Sequence, residues 1–444
     1  MSTTQSLIKE LFNEPSCSYS SNTTKKATCE RLIPGSAISG CSFESAIEIL
    51  RLFRETAHII HAPSTCTSAI LSPKIQEIKT VLSTTQMECN DIIFSGEKKL
   101  AESIDSLLQH YHPKVIFVYL TCVSSLIGED IESIVSLKKE QWGVPIIAVY
   151  AAGFMGGMPF GARVAGVTLL EHLMGQEDPL DTISYDINLI GFKMLECEMV
   201  GYRALLEHLG FHIRWVFGAY EDIEKTYSAH CVKLNVLICA KPMITLARKM
   251  NERWNIPWVD VSFYGVKATS DAIRAIVEVF ADGLLTRISE QYIFQKEQQL
   301  RRELRLYKEI LNDKVVFINL KAQQSWQFIP LLKELGMRIA ATSIEESTQD
   351  DIEKVYAYLA GEGMVLKEKR EDFVEVIQDE KVDIFLCHYP QFQVAIESKI
   401  AFMTIDDNEK NYSGYSGSIT FAQDIVLALN NPLFKVLYAK APWE

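Results

Sequence analysis

Short β-branched and aromatic runs recur along the chain, separated by stretches whose apolar residues fall at helical spacing. The runs are HIIHA (58–62), DIIF (91–94), VIFVYL (115–120), PIIAVY (145–150), INLIG (187–191), IRWVF (213–217), LNVLIC (234–239), VVFINL (315–320), MRIAAT (337–342), VDIFLC (382–387) and AFMTI (401–405). Between them lie amphipathic segments such as EKKLAESIDSLLQHY, GYRALLEHLG and QFIPLLKELG. Apolar strands of about 4–6 residues alternating with helices predict an α/β chain, its parallel sheets covered by helices on both faces. The rhythm restarts near Ile187 and again near Val315. It predicts three doubly wound (Rossmann-like) parallel-sheet domains over 41–185, 186–284 and 313–444. Residues 1–40 read as a polar N-terminal extension, and 285–312 as a charged helix linking the second and third domains.

In such folds ligands collect where loops leave the carboxyl ends of strands. Several cysteines stand there: Cys66 after HIIHAPST, Cys122 after VIFVYLT, Cys239 at the end of LNVLIC and Cys387 at the end of VDIFLC. The common ligand loops are missing. There is no GxxxxGK[ST], no HExxH and no GxSxG, and the Gly-rich stretch AGFMGGMPFG (152–161) does not have GxGxxG spacing. P-loop nucleotide chemistry and the usual dehydrogenase, zinc-protease and α/β-hydrolase readings therefore find no support.

Composition narrows the partners. The 444 residues are 48% hydrophobic and 23% charged, as in ordinary globular proteins. Lys and Arg number 44 against 57 Asp and Glu, a net charge of −13. A nucleic-acid partner would need a dense basic face, and the one basic block is the helix-like KEQQLRRELRLYKE. No window approaches the ~20 apolar residues of a membrane span, and MSTTQSLIKELFNEPSCSYSS lacks the apolar core of a secretory signal. The expectation is a cytoplasmic protein with no nucleic-acid and no membrane partner. Its ten cysteines include no CxxC pair, which argues against a zinc ribbon, a thioredoxin-type site or a bacterial ferredoxin run. In a reducing compartment disulfides are not expected. The thiols are then either buried apolar groups or ligands drawn from distant parts of the chain.

Cys41, Cys66 and Cys122 each lie among small residues, in PGSAISGCSF, HAPSTCTSA and LTCVSSLIGED. Small neighbours let backbone approach a bulky inorganic cluster and offer N–H groups to its sulfides. Thiolates are the natural ligands of iron–sulfur clusters. From spacing alone the packing reading of these thiols stays open, as it does for Cys239 at the end of its apolar strand.

The combination PGSAISGCSFESA, HIIHAPSTC, TTQMECNDIIFSGEKKL, VYLTCVSSLIGEDIE and AHCVKLNVLICAKPMITLARKMNERWNIPWVDVSFYG resembles the nitrogenase component 1 superfamily. Within it the chain is most similar to the E-type (NifE-type) subunits of the E/N scaffold, on which the iron–molybdenum cofactor is matured. The likeness covers about residues 30 to 435 and includes GYSGSITFAQDIVLALNNPLF. It implies that Cys41, Cys66 and Cys122 hold a [4Fe–4S] cluster at a subunit interface, completed by the partner. It implies that Cys239 ligates an eight-iron cofactor precursor, to which molybdenum and homocitrate would be added. The implied partners are a homologous N-type (β-like) subunit in an α2β2 heterotetramer, an ATP-dependent iron protein acting as reductase, and the radical enzyme that builds the cluster.

The sequence also departs from its relatives. The stretch after Cys66, TSAILSPKIQEIKTVLSTTQMEC, is shorter than in typical E or catalytic α subunits. MTIDDNEKNYSGYSG carries no histidine where catalytic subunits bind molybdenum, and GFMGGMPFGARVAG lacks their Gln and His beside the cofactor. Dinitrogen reduction is not expected. The alternative is the α-type subunit of a nitrogenase-like reductase, for example methylthio-alkane reductase-like, acting on a small substrate at a retained cofactor. Cys387–His388 follows a third-domain strand, and His388 is a candidate second ligand to the large cluster in place of the missing histidine. Cys89, Cys197 and Cys231 read as packing residues, Cys17 and Cys29 as thiols of the polar extension, and His58 and His61 as core histidines.

Overall fold

The computed structural model describes residues 41–66, 80–179, 184–191, 196–238, 243–320, 322–344, 349–366, 370–388, 391–405 and 410–438. The chain divides into two compact units. The first comprises the described residues up to 191 together with 211–259; the second comprises 196–210 and those from 260 onward.

Among the described residues the first unit is built around two four-stranded sheets, beside a short parallel pair of Phe53–Arg54 and Glu221–Asp222. One runs in the order Val81–Thr84, Thr56–His61, Val115–Leu120, Ile146–Tyr150, with every neighbouring pair parallel. The two central strands are buried along their whole length: Val115–Leu120 is a continuous apolar and aromatic run, while Thr56–His61 also buries Thr56, His58 and His61, each with a hydrogen-bond partner. The other sheet runs Trp258–Val261, Leu234–Ile238, Asp186–Gly191, His212–Phe217, and its Asp186–Gly191 strand pairs parallel with both neighbours. Residues from both sheets meet in one apolar core, where Phe53 stacks on Trp215 with ring centroids 6.3 Å apart.

The second unit holds a five-stranded sheet in the order Met364–Leu366, Arg338–Ser343, Val315–Asn319, Ile384–Cys387, Ala401–Thr404, again parallel throughout. The charged stretch predicted as one helix forms Gly283–Glu303 and Arg305–Leu311, broken at Leu304. Asp282 starts the first of them, its Oδ1 accepting from the N–H groups of Leu284 and Leu285 at 2.8 and 3.0 Å.

One predicted strand is a helix. DIIF belongs to the helix Cys89–Phe94, because a capping box outweighs the β-branched pair. The Asp91 carboxylate accepts from the Glu88 N–H at 2.7 Å, while the Glu88 side chain accepts from the N–H three residues on. Ile93 and Phe94 are consequently exposed rather than in the sheet. The edge strand Val81–Thr84 was not among the predicted runs, since its VLST is half-buried and short.

The helix Ser42–Leu50 is fixed by its approach to Met158–His172. The Ser42 N–H donates to Gly156 O at 3.1 Å, and its hydroxyl lies 2.7 Å from Ala152 O and 2.9 Å from Ala151 O. At Gly161 the two helices touch backbone to side-chain position: a Cβ there would lie 2.0 Å from Ser42 O. Five residues on, Gly166 packs against Leu246 of the helix Ile244–Trp254, which covers the second sheet. The helix Met158–His172 is thus the common wall of the unit, buried from Phe160 to Leu170. Gly161→Ala is expected to lower stability by about 1–3 kcal/mol, the cost of forcing apart a packed interface. Urea denaturation at neutral pH measures this; an unchanged midpoint would show that the approach is looser than described.

Candidate functional site

A parallel sheet whose winding reverses leaves a crevice at the carboxyl ends of the two strands that flank the reversal. In the first sheet those strands are Thr56–His61 and Val115–Leu120, with His61 opposite Leu120. Cys66 ends a short 3-10 turn on the loop leaving the former, its N–H donating to Pro63 O at 3.1 Å. Cys122 opens the helix Cys122–Ile127 directly after the latter, where Thr121 and Ser124 cap each other and the Thr121 N–H donates to Ser124 Oγ at 2.8 Å. Cys41 is the N-cap of Ser42–Leu50. All three thiols are partly accessible.

Gly153, just past the end of Ile146–Tyr150, shows how close two of them come. A Cβ on Gly153 would lie 3.1 Å from Cys41 Cβ, 3.3 Å from Cys122 Sγ and 3.7 Å from Cys41 Sγ. The two sulfurs are therefore within about 7 Å of each other, across a space that any side chain at 153 would begin to fill. Burial pushes the Cys41 thiol above its ordinary value; the N–H groups of Glu44 and Phe43 pull it down, and the charges of Glu44 and Cys122 push it up. Cys66 and Cys41 both pack against the same apolar core.

A buried carboxylate that sequence reading passed over fastens the two loops. Glu129 follows Gly128, whose φ of 75° ends the helix of Cys122 in a left-handed cap. Its Oε2 lies 2.7 Å from His61 Nε2, and its Oε1 accepts from the Gly96 N–H. His61 Nδ1 lies 3.1 Å from Thr85 Oγ1, so both ring nitrogens are engaged and the residue is a core histidine. The signal was present in GED after a short helix, a left-handed glycine followed by an acid, but nothing local says what that acid grips.

His58, on the same strand, is wholly buried. Thr56 Oγ1 lies 2.7 Å from Phe53 O and gives its one proton there, so at 2.8 Å it accepts from His58 Nε2–H. Nδ1 is left to accept from the Tyr119 hydroxyl at 2.8 Å. Burial first, and the Arg51 charge second, hold the imidazole well below its usual value and hence neutral.

Of the remaining predicted ligands, Cys239 lies outside the described residues. The buried strand Leu234–Ile238 stops one residue before it, and Ile238 pairs with Gly191 at the winding reversal of the second sheet. Cys387 is fully buried in the apolar cluster of the five-stranded sheet, opposite Asn319 at that sheet's reversal, and His388 follows it half-buried. The structure brings Cys41 and Cys122 together and puts Cys66 on the same sheet edge. Cys387 and His388 belong to the other unit.

Comparison with known proteins adds the following. The sequence profile of the family Nitrogenase component 1 type Oxidoreductase matches residues 41–430. A nitrogenase iron-molybdenum cofactor biosynthesis protein NifE from Rippkaea orientalis is 33% identical over 456 aligned positions, covering 100% of this chain and 97% of that protein. The NifE of Nostoc sp. is also 33% identical, with 100% and 95% covered, and that of Klebsiella pneumoniae 28%, with 98% and 99% covered. Among solved structures, nitrogenase Cp1 at pH 6.5 superposes with a TM-score of 0.80 at 20% identity, covering 98% of this chain and all of that one, which establishes a shared fold.

The buried His58 makes stability depend on pH. Its folded-state value is depressed, so between that value and the unfolded value near 6.5 the unfolded chain binds the extra proton, and stability falls as pH falls. One such group contributes up to about 1.4 kcal/mol per pH unit below 6.5. Urea midpoints at pH 7.5 and 5.5 should therefore diverge in the intact chain and converge in His58→Gln. An equal pH dependence in both would remove His58 as its source.

Proposed function

This chain belongs to the nitrogenase component 1 type oxidoreductase family, and on that premise we propose that it is a scaffold subunit for maturation of the iron–molybdenum cofactor. Cys41, Cys66 and Cys122 hold a [4Fe–4S] cluster, and Cys239 carries the eight-iron precursor as cargo. The observation that carries this reading is the pair of thiols within about 7 Å of each other beside Gly153, close to a winding reversal, in a chain similar over its whole length to biosynthesis proteins of that cofactor.

The donor set fits the group. Thiolates suit iron–sulfur clusters, and Gly153 supplies the clearance that a cluster between Cys41 and Cys122 needs. When bound, the interface cluster supplies a one-electron relay. The protein's own residues do the rest. The three thiols lose their protons and bind, and Glu129 locks the helix of Cys122 to the strand that leads to Cys66. Three thiolates leave one iron to a ligand from an N-type subunit in an α2β2 heterotetramer. Leu126 and Phe154, exposed by 74 and 58%, lie on the segments of Cys122 and Gly153, and Phe94, exposed by 80%, ends the helix Cys89–Phe94 that packs against the helix of Cys122; they support a protein-covered face there.

A single thiolate at Cys239 suits cargo that must leave, because one exchangeable bond releases faster than several. The ATP-dependent iron protein and the cluster-building radical enzyme act on this complex as electron donor and cargo source. Molybdenum and homocitrate join the precursor there.

Anaerobically copurified complex tests the ligand set. Cys66→Ala or Cys122→Ala is expected to remove about four iron atoms per chain, and Cys239→Ala about eight. Gly153→Ala should reproduce the first loss while its thermal midpoint stays within a few degrees of the parent. Unchanged iron in all of these variants would refute the assignment. Leu126→Asp together with Phe154→Asp should break copurification with the N-type subunit while leaving circular dichroism unchanged; retained copurification would move the interface elsewhere.

A further inference from the structure

Far in sequence from the three thiols, Asp178, His230 and Cys231 bring an oxygen, a nitrogen and a sulfur together, with all three donor atoms within 4.8 Å of one another. Asp178 lies on the loop beyond the helix Met158–His172, and His230 and Cys231 lie on the turn that leads into the strand Leu234–Ile238. The two segments are held together before any ligand arrives by the Gly175 N–H, which donates to Tyr227 O at 2.9 Å, and the turn is fixed to the strand Asp186–Gly191 by Asn188 Nδ2, which donates to Ala229 O at 2.8 Å. The His230 ring packs on Trp254, centroid to centroid 5.2 Å.

The donor atoms stand close to the spacing of a coordination polyhedron, and small side-chain turns complete it. A tetrahedral Zn2+ bound through S, N and O at the usual bond lengths keeps its ligand atoms about 3.3–3.6 Å apart. Here Cys231 Sγ lies 3.4 Å from His230 Nε2 and 3.6 Å from Asp178 Oδ1, and Nε2 lies 2.9 Å from Oδ1. Two edges of one face have the required length, but Sγ also lies 3.7 Å from His230 Nδ1, beside the ring, so a turn of the Cys231 side chain must bring it into line with the Nε2 lone pair. The third opens by about 0.4 Å when the cation replaces the hydrogen bond, and the exposed Asp178 side chain is free of packing that would resist it.

We propose that Asp178, His230 and Cys231 form a site for one divalent cation of the Zn2+ class, with its fourth position open to water. Binding exchanges the thiol proton for the metal: the Cys231 S–H bond breaks, the S–metal bond forms and one proton leaves to solvent, while the neutral His230 ring changes tautomer, its proton passing from Nε2 to Nδ1 so that the Nε2 lone pair binds the metal in place of the hydrogen bond to Asp178. One thiolate and one carboxylate then balance the two positive charges. Cys231 is thus more than a packing residue. The cation clamps the loop after the common wall helix to the entry of the strand that ends just before Cys239.

The test uses full-length protein under anaerobic conditions, with Zn2+ in equilibrium dialysis and Co2+ as a spectroscopic probe. Because Cys41, Cys66, Cys122 and Cys239 also bind such ions, the readout is the difference between the parent and Cys231→Ser, and between the parent and the conservative surface variant Asp178→Asn. Expected are the loss of one Zn2+ equivalent in Cys231→Ser and of its share of the tetrahedral Co2+ bands and sulfur-to-cobalt absorption. Asp178→Asn should weaken that equivalent tenfold or more, and Zn2+ should raise the parent's thermal midpoint but not that of Cys231→Ser. Identical stoichiometry and spectra in parent and both variants would overturn the proposal.

Discussion

Where a parallel sheet reverses its winding, two neighbouring strands send their loops in opposite directions, and the crevice between them stays open because no connection crosses it. That constraint recurs in each of the four- and five-stranded sheets among the described residues. The first sheet reverses between Thr56–His61 and Val115–Leu120, the second between Asp186–Gly191 and Leu234–Ile238, the third between Val315–Asn319 and Ile384–Cys387. Cysteines follow or end a strand at each: Cys66 and Cys122 at the first, Cys239 next after Ile238 at the second, Cys387 at the third. The same topology serves different chemistry, since Cys387 is sealed in an apolar cluster while Cys66 and Cys122 are partly accessible.

Holding the first crevice in shape is a matter of backbone clearance rather than of strong bonds. Gly161 lets the helix Met158–His172 come within touching distance of Ser42, which sets Cys41 at the start of its helix. Gly153 then keeps the space between Cys41 and Cys122 clear. Each glycine is needed for what it lacks. Glu129 supplies the complementary device, a buried carboxylate spanning His61 and Gly96 so that the loops on either side of the reversal move as one piece.

Strands were legible because those buried on both faces are mostly apolar, and VIFVYL, INLIG, LNVLIC and VVFINL all announce themselves in this way, the last three with a single buried Asn each. DIIF misled for a local reason: its two isoleucines suit a strand, but the reciprocal Glu88–Asp91 caps commit it to a helix. The candidate thiols could be placed on the carboxyl ends of strands from sequence. Their convergence could not, because the approach of Cys41 to Cys122 depends on contacts made some 110 residues away, through Ser42 and Ala152. Glu129 and the Asp178–His230–Cys231 cluster were invisible for the same reason, each being assembled by packing between segments that no periodicity links.

The central claim is that iron sits between Cys41 and Cys122, beside Gly153. Anomalous diffraction at the iron K edge, from crystals of the anaerobic complex, locates the metal without reference to activity. The account predicts a compact anomalous peak within bonding distance of both sulfurs and of Cys66. An anomalous map with no iron at that edge of the first sheet, in crystals whose iron content is otherwise complete, would contradict it.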